Sequence, residues 1–413
     1  MSNTVKVICQ NTSTMLDVEM GTSLLELQKR LAIENKYPFL AAYVNNRIKE
    51  LNYKIYKPIM VRYIDITHFE GYRVYQRTIS FILQKAASDI FPERKLYIRH
   101  SLGRGLYGEF ADGKELSAEE IESLRRAMQQ IIDAGYTISR QRMLSADINT
   151  IFEQKGFDDK VALLNSRKRL YSNIHTMDDA VGYFYGALTP DTSYIHLFDI
   201  RPYYNGFYIA LPLRSNPDKF DLNVHLDKMF DVFREYSMWV HIMGVPTVGH
   251  LNEKVLAGDA SELIKVAEAF HEKKIAQIAD QIEQANSSKG TRVVLISGPS
   301  SSGKTTTAKR LGIQLRILGL DPVLISLDDY FVDRELTPLD EHGEYDFESL
   351  YALDLPFFNA QLNALLQGEE VELTKFDFTI GNPSIPTPQI ITDTVLDILQ
   401  KLQRENGTAL ILI

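Results

Sequence analysis

The sequence is poor in cysteine and in long apolar runs. Cys9 is the only cysteine among 413 residues, so no internal disulfide can form. The first residues, MSNTVKVICQ, have neither the charged start nor the apolar centre of a signal peptide. No run of about 18 apolar residues occurs, and no segment is therefore predicted to span a membrane. These absences predict a cytoplasmic protein.

Positive charge is also in deficit. The 45 Lys and Arg residues are outnumbered by 54 Asp and Glu residues, which gives a formal net charge of -9. Such a balance argues against a grip on nucleic acid over the whole chain and leaves only a local basic surface for that purpose. With 45% hydrophobic and 24% charged residues, the chain is predicted to fold, and its length predicts two or three hydrophobic cores.

The first 66 residues have the pattern of a small mixed unit. VKVICQ and MLDVEM are predicted strands, and Ser23 with Glu26 forms a capping box before the helix LLELQKRLA. Asn45 and Asn46 tolerate the positive φ of a tight hairpin turn, and the alternating strand IMVRYIDI follows them. The order strand, strand, helix, hairpin, strand predicts a β-grasp module over residues 1–66.

Three further regions follow, so that the predicted fold class is a multidomain combination of α+β and α/β parts. Residues 67–250 mix strands and helices, and the clearest helix is capped by Ser117 with Glu120 and ended by Gly135. An apolar stripe from Asp259 onward predicts a helical connector over 251–289. The polar NSSKG at 286–290 is the predicted boundary of a last domain over 290–413, a parallel α/β sheet.

The last domain begins with a predicted phosphate loop. A strand, RVVLIS, runs into a full GxxxxGK[ST] pattern, and a helix follows. Glycines let the backbone wrap an anion, the lysine reaches the β and γ phosphates, and the hydroxyl after it can ligate Mg²⁺. The alternative is a Gly-Ser loop before an ordinary helix. The pattern predicts ATP and Mg²⁺ as cofactors, with Thr305 as the metal ligand. The predicted nucleotide-binding residues are Gly298, Pro299, Ser300, Ser301, Ser302, Gly303, Lys304, Thr305 and Thr306.

A second predicted strand, from Val323 to Leu327, brings Asp328 and Asp329 to its carboxyl end, where open α/β sheets place their ligands. A carboxylate there could accept the proton of an alcohol that attacks the γ phosphate. Lys304 and Asp328 are therefore the predicted catalytic residues. The alternative is that the two acids cap or solvate a turn.

GPSSSGKTT, ISLDDYF, EYDFESLYALDL and VELTKFDF together resemble the uridine kinase and phosphoribulokinase family over about 90 residues. The resemblance implies that Asp328 is the general base on a sugar hydroxyl. It implies as well that Asp346, after Tyr345, holds ribose hydroxyls and that Phe376 lines the nucleoside pocket. Core packing is the alternative for Tyr345 and Phe376. The base-reading histidine of uridine kinases has no counterpart in TIGNPS, so the substrate class stays open.

The region before the phosphate loop resembles the N-terminal part of threonyl-tRNA synthetase, a TGS domain followed by the second additional domain. GYRVYQRTISFILQKAASDIFPERKLYIRHSLGRGLYGEF carries the resemblance. That second domain is an editing site with an HxxxH motif, and the matching positions are Arg77 and Phe81, neither of which can ligate a metal as an imidazole does. AVGYFYGALTPDTSYIHLF lacks the expected cysteine, so no metal is predicted there. The order of parts resembles that of bacterial TGS-containing nucleoside kinases.

The sequence thus leads to two main hypotheses of function. The first is an ATP-dependent kinase, a phosphotransferase acting on a hydroxyl of a uridine-like nucleoside or a related small molecule. Since only 108 residues follow Thr305, we expect the chain to be a truncated kinase with little activity. The alternative is a nucleotide-gated RNA-binding or regulatory protein with a degenerate tRNA-editing domain, in which the N-terminal modules contact RNA. A surviving aminoacyl-tRNA deacylase is a third hypothesis, which Arg77 and Phe81 disfavour.

Overall fold

The structure is a computed structural model, and it describes residues 3–220, 226–299, 301–347, 349–377, 382–384 and 410–412. The chain forms two compact units, Met1–Asp259 and Ala260–Ile413, each built from helices and sheets. In the part of the chain that is described, no helix is long and apolar enough to cross a membrane. The division into four domains predicted from the sequence stays a prediction.

The first unit begins with a five-stranded mixed sheet in the order β2-β1-β5-β3-β4. β1 and β5 are parallel, and the other neighbours are antiparallel. β1 alternates between exposed and buried residues, so Val5, Val7 and Cys9 face one core together with Leu24 and Leu27 of the helix. The elements are β1 Thr4–Cys9, β2 Thr14–Glu19, α1 Leu24–Leu31, β3 Ala41–Val44, β4 Arg47–Lys49 and β5 Ile59–Ile64.

Local signals in the sequence place the ends of these elements. The Ser23 hydroxyl accepts the backbone N–H of Glu26, and the Glu26 carboxylate accepts the N–H of Ser23, so the predicted capping box is confirmed. Asn45 and Asn46 join β3 to β4 with φ values of 46° and 62°, which confirms the predicted hairpin turn.

The rest of the first unit contains two more sheets and several helices. The four-stranded sheet has the order β11-β12-β7-β6, and the three-stranded sheet has the order β10-β9-β8. Every neighbouring pair in both sheets is antiparallel. The elements are α2 Phe69–Ile90, β6 Leu96–Leu102, β7 Gly105–Phe110, α3 Ala118–Ala134, β8 Ile138–Leu144, α4 Ser145–Gln154, α5 Asp158–Arg167, β9 Tyr171–Met177, β10 Ala180–Gly182, β11 Asp199–Tyr203, β12 Gly206–Ala210, α6 Asp227–Ile242 and α7 Val248–Ala257.

The long helix α2 lies at the centre of the largest core. Half of its 22 residues are buried, and they include Tyr75, Ile79, Phe81 and Ile82. They pack with apolar residues of α3 and of strands β7 and β12, among them Phe207. Burying a side chain of this size contributes roughly 1.5–3 kcal/mol, so α2 supplies much of the driving force for folding this unit.

The second unit combines a long helix with a small parallel sheet in the order β13-β17-β14. α8 and α9 share a core that includes Ala279, Ile282, Leu311 and Leu315. β15 and β16 form a separate antiparallel pair. The elements are α8 Ala260–Lys289, β13 Val293–Val294, α9 Lys304–Ile317, β14 Pro322–Leu324, α10 Leu355–Gln367, β15 Lys375–Asp377, β16 Asn382–Ser384 and β17 Leu410–Leu412.

α8 ends at Lys289, which is also the last residue of the helical connector predicted over 251–289, and the Ser288 hydroxyl donates to the Gln284 carbonyl at 2.5 Å. One sequence prediction about this unit needs correction, because the predicted strands are shorter than expected. β14 ends at Leu324, and Asp328 and Asp329 lie in a short 3₁₀ helix over Leu327–Tyr330.

The Tyr75 hydroxyl gives a sharp test of the first unit's core. It donates to the Leu197 carbonyl at 2.7 Å and accepts the backbone N–H groups of His196 and Leu197 at 3.2 and 2.9 Å. Tyr75→Phe leaves these groups without that partner, and we expect the free energy of unfolding to fall by about 1–3 kcal/mol. The only tryptophan, Trp239, lies in α6 of the same unit, so its fluorescence during urea unfolding measures the change.

Tyr56→Phe is the matched control, because Tyr56 is 62% exposed. We expect its effect to stay within about 0.5 kcal/mol. Equal unfolding midpoints for the two variants would contradict the role assigned to the Tyr75 hydroxyl.

Candidate functional site

The predicted phosphate loop joins β13 to α9 in the second unit. Gly303 caps α9 with φ 89°, and Ser301 has φ 59°, so two loop residues occupy the left-handed region. A Cβ at Gly298 would lie 2.7 Å from Ser302 Oγ, so a larger residue there would displace the Ser302 hydroxyl. Lys304 Nζ donates to the carbonyl oxygens of Gly298 and Pro299 at 2.8 and 3.3 Å.

Other predicted residues of the loop lie outside the description or at the surface. Ser300 lies outside the described residues, and the backbones of Thr305 and Thr306 belong to the first turn of α9, where both residues are exposed. The open loop and the helix N-terminus are compatible with an anion. Nucleotide and Mg²⁺ binding by these residues stays a prediction.

The two acids after β14 differ in their surroundings. Asp328 is exposed, whereas Asp329 is half-buried, and its Oδ1 accepts the backbone N–H of Phe376 at 3.2 Å. Burial raises the pKa of the Asp329 carboxyl. Because β13, β14 and β17 are parallel, their carboxyl ends share one edge of the sheet, and Asp328 follows that edge. Asp329 therefore holds β15 in place, and Asp328 is the acid that stays accessible.

The remaining predicted residues of the second unit make contacts of their own. The Phe376 ring is 9% exposed and lies 5.7 Å from the Phe331 ring. Tyr345 is 44% exposed, and its ring lies 6.1 Å from that of Phe347. The backbone N–H of Asp346 donates to the Pro338 carbonyl at 2.7 Å. Substrate binding by Tyr345, Asp346 and Phe376 stays a prediction.

In the first unit, Arg77 and Phe81 lie one turn apart on α2 and are both committed to packing. Arg77 Nε donates to the Ala187 carbonyl at 3.0 Å, and a Cβ at Gly186 would lie 2.6 Å from its guanidinium carbon. Burial lowers the pKa of Arg77. The Phe81 ring is fully buried, 5.2 Å from the ring of Phe184. The two positions therefore build a packed wall.

A buried histidine continues this wall. His175 of β9 is fully buried, and its Nε2 lies 2.8 Å from Glu50 Oε1. Its ring meets the Phe184 ring edge-on at 5.9 Å. His175 is thus a core histidine with one polar partner. No group of three or more His, Cys, Asp or Glu side chains within the described ranges could hold a metal ion.

On the other side of Phe184 is an open cleft of about 460 Å³, here called the aromatic cleft. Four aromatic rings line it, those of Tyr97, Phe157, Tyr183 and Phe184. Gln84, Lys85 and Ser88 of α2, the start of β6, and Val181 near β10 also face it. The cationic side chains that line it are Lys85, Arg94, Lys95, Lys155 and Lys160.

Most cations of the aromatic cleft are neutralised by neighbouring acids. Lys85 Nζ lies 2.5 Å from Asp179 Oδ1, and Lys95 Nζ lies 3.3 Å from Asp159 Oδ1. Lys160 differs, because its Nζ lies 4.0 Å from the centre of the Phe157 ring and makes no ion pair with a described carboxylate. Burial lowers the pKa of Lys160. Lys155 also makes no ion pair with a described carboxylate, since its Nζ donates to the Asp179 main-chain carbonyl at 3.2 Å. Lys155 and Lys160 are therefore the ammonium groups of the cleft that are open to an anionic ligand.

Sequence reasoning missed Lys160 and Tyr97. No motif marks either residue, because the cleft is assembled from α2, β6, β10 and α5, which are distant along the chain. The one local signal is a lysine in DDKVALL, at the start of an amphipathic helix. A lysine in that setting is ordinarily a solvated surface residue.

Comparison with known proteins gives partial matches to threonine–tRNA ligases. The ligase of Symbiobacterium thermophilum is 25% identical over 201 residues, which is 48% of this chain and 31% of the ligase. That of Clostridium kluyveri is 28% identical over 149 residues, 36% of this chain and 23% of the ligase. That of Francisella tularensis is 19% identical over 255 residues, 62% of this chain and 38% of the ligase. No protein-family model matches the chain.

These comparisons correct the predicted function. The relatives are threonine–tRNA ligases, so the predictions of a nucleoside kinase and of a phosphotransferase are wrong. The prediction of a small hydroxyl substrate, which depended on the kinase prediction, is therefore unsupported. The resemblance of the chain to threonyl-tRNA synthetase is supported, and the RNA-binding alternative fits the relatives better. The matches span 23–38% of these ligases' length.

Proposed function

We propose that the chain is an RNA-binding protein of the tRNA system, without editing chemistry, whose RNA binding responds to a nucleotide held by the second unit. The similarity to threonine–tRNA ligases is the observation that carries the proposal. The name of these relatives says that they act on tRNA and threonine. In this reading, residues 1–66 are a β-grasp module of the TGS kind, which the sheet order β2-β1-β5-β3-β4 supports.

The aromatic cleft supplies the RNA-binding surface. Aromatic rings next to cations are the usual means of holding a nucleic acid strand, because bases stack on rings while cations neutralise phosphates. Tyr97 offers a ring that Arg99 and Lys95 already contact at 4.4 and 5.5 Å, which a base would have to displace or share, and Lys160 offers an ammonium that is not bound to a carboxylate. A net charge of -9 works against binding over the whole surface, so RNA is confined to this local site.

Editing chemistry is absent from the proposal because positions 77 and 81 carry no catalytic group and the one histidine of the wall, His175, is fully buried. Hydrolysis of an aminoacyl ester requires a base, a nucleophile or a metal-bound water. Arg77 binds a main-chain carbonyl, and Phe81 is packed against Phe184. The wall thus retains the shape of a binding site without the groups that hydrolysis needs.

The second unit holds the nucleotide in the loop that begins at Gly298. Backbone N–H groups of the loop and the N-terminus of α9 would hold the phosphates of ATP, Lys304 would neutralise their charge, and the Thr305 hydroxyl would hold Mg²⁺. Lys304 Nζ bonds the loop's own carbonyls in the structure, so it exchanges those bonds for phosphate oxygens on binding. A nucleotide gates RNA binding only if the two ligands are energetically coupled, and the coupling is then reciprocal.

Lys160→Met tests the RNA site. We expect the affinity for unmodified tRNA to fall by about three- to tenfold and the dependence of log affinity on log salt to lose about one unit of slope, because one phosphate contact is removed. Gel shift at several salt concentrations measures both quantities. Lys114→Met is the control, since Lys114 is exposed and lies outside the aromatic cleft. Equal affinities of the two variants would refute the site.

The free energy of unfolding of Lys160→Met shows whether a loss of tRNA affinity comes from the binding site or from a less stable fold. Because burial lowers the pKa of Lys160, the unfolded chain holds this proton more tightly than the folded one. The folded state is therefore destabilised by this group at neutral pH and recovers as pH rises toward the unfolded value. We expect methionine to leave the free energy of unfolding unchanged or higher at pH near 7, as measured by Trp239 fluorescence.

Lys304→Met tests the nucleotide site. We expect binding of a fluorescent ATP analogue with Mg²⁺ to weaken by at least about tenfold, because the loop loses its only lysine that reaches the phosphates. Lys309→Met on the exposed side of α9 is the control and should bind as the unchanged chain does. The same titrations with tRNA present measure the coupling. An ATP affinity that is independent of tRNA would refute gating while leaving each binding site standing.

A further inference from the structure

The first unit has a second cavity, of about 660 Å³, with three histidines in its wall. His100 belongs to β6, His241 to the end of α6 and His250 to α7. This histidine cavity shares Lys95, Tyr97, Ile98 and Asp159 with the aromatic cleft, so the two openings are neighbours. Neither the proposed RNA site nor the phosphate loop uses these histidines.

Each histidine is fixed through Nδ1, which leaves Nε2 for a ligand. His100 Nδ1 lies 3.2 Å from the Ser101 carbonyl oxygen, and His241 Nδ1 lies 2.7 Å from the Ser237 carbonyl oxygen. His250 Nδ1 lies 2.7 Å from Thr247 Oγ1. A carbonyl oxygen only accepts, so His100 and His241 carry their proton on Nδ1 when they are neutral. Their Nε2 atoms then become donors only when the rings take up a second proton.

The other charged groups around the cavity are already balanced. Lys95 lies 3.8 and 3.3 Å from the carboxylates of Asp158 and Asp159, and Arg99 lies 2.7 Å from that of Glu109 on β7. With neutral histidines, these groups leave no cation to spare for an anion. Burial lowers the pKa of His100, which also stacks on Phe233 at 4.0 Å. The charge that the cavity can offer an anion therefore comes from its histidines.

A free aromatic ring lies beside these edges. Tyr236 of α6 lines the cavity and is 61% exposed. No described ring stacks on Tyr236, unlike Phe233, whose ring is covered by that of His100. An exposed ring of this kind stacks with a nucleobase at a gain of about 1–3 kcal/mol. An exposed aromatic ring and three protonatable imidazoles thus line one cavity.

We propose that the histidine cavity binds a nucleoside phosphate, with the base on Tyr236 and the phosphate against the Nε2 edges of His100, His241 and His250. The cavity volume accommodates one nucleotide and matches the usual size of small-molecule sites, about 300–1,000 Å³. The ligand is either a free nucleotide or one nucleotide of a single-stranded RNA that also reaches the aromatic cleft. Binding takes up protons, because phosphate stabilises the imidazolium form.

Calorimetric titration of the Lys304→Met chain with AMP tests the proposal, because this background removes the phosphate loop's lysine. A histidine whose pKa rises by about one unit from about 6.5 tightens binding about fourfold between about pH 8 and pH 6.5. We expect AMP to tighten by at least that factor, and adenosine, which has no phosphate, to bind more weakly and without pH dependence. Both pH values of this titration lie above the second pKa of a phosphate monoester, about 6.

The double variant His241→Gln with His250→Gln should lose at least about fourfold in AMP affinity near pH 6.5 and most of the pH dependence. His342→Gln is the control, since the His342 side chain is 76% exposed and belongs to the second unit. Circular dichroism verifies that the variants fold. An unphosphorylated RNA trinucleotide forms the second arm. Tighter binding of the trinucleotide than of AMP identifies RNA as the source, and the reverse identifies a free nucleotide.

Two results would contradict the proposed nucleotide site. If neither AMP nor the trinucleotide binds, or if the double variant binds as the control does at both pH values, the histidine cavity is not a nucleotide site. Loss of tRNA binding by Lys160→Met is measured separately and is unaffected by that result. The proposal for the cavity and the proposed RNA function therefore stand or fall on different measurements.

Discussion

The burial of α2 is the constraint on which the first unit depends. The helix places Tyr75, Phe81 and their buried neighbours at the centre of the largest core, where each must be apolar or fully hydrogen-bonded. Tyr75 meets this condition with three hydrogen bonds to the segment after β10. Because the same helix forms the wall beside the aromatic cleft, the requirements of packing decide which side chains the wall can carry. Catalytic groups on this face would compete directly with the core.

This competition accounts for the character of the cleft. Positions 77 and 81 are occupied by a guanidinium bound to a main-chain carbonyl and by a buried ring, which stabilise the fold and leave no reactive group. The cations that remain are mostly paired with aspartates, so the cleft is polar without being strongly positive. Lys160 escapes this pairing through its contact with Phe157.

Local features of the fold were accessible from the sequence, since they depend on a few neighbouring residues. The capping boxes at Ser23 and Ser117 and the Asn45–Asn46 turn are confirmed because each is satisfied within four residues. The extent of β14 was misjudged, because it ends at Leu324, and Asp328 and Asp329 lie in a 3₁₀ helix. The predicted phosphate loop is equally local, and the helix α9 does begin at Lys304 as its pattern predicts, while nucleotide binding by the loop stays a prediction. The reaction inferred from it was wrong, because chemistry depends on groups that meet only in the folded unit.

The histidine cavity is a second feature that could not be predicted from the sequence. His100 and His250 are separated by 150 positions, and each, taken alone, has the sequence surroundings of an ordinary surface or core histidine. They come together only because α6, α7 and β6 all contribute to the lining of one cavity, which also includes Tyr236. No periodicity or motif encodes that arrangement, because the strand and the two helices obey their own patterns. A ligand site of this kind arises only in the tertiary structure. The balance of charged groups around the cavity, rather than the identity of any one residue, determines which ligand it favours.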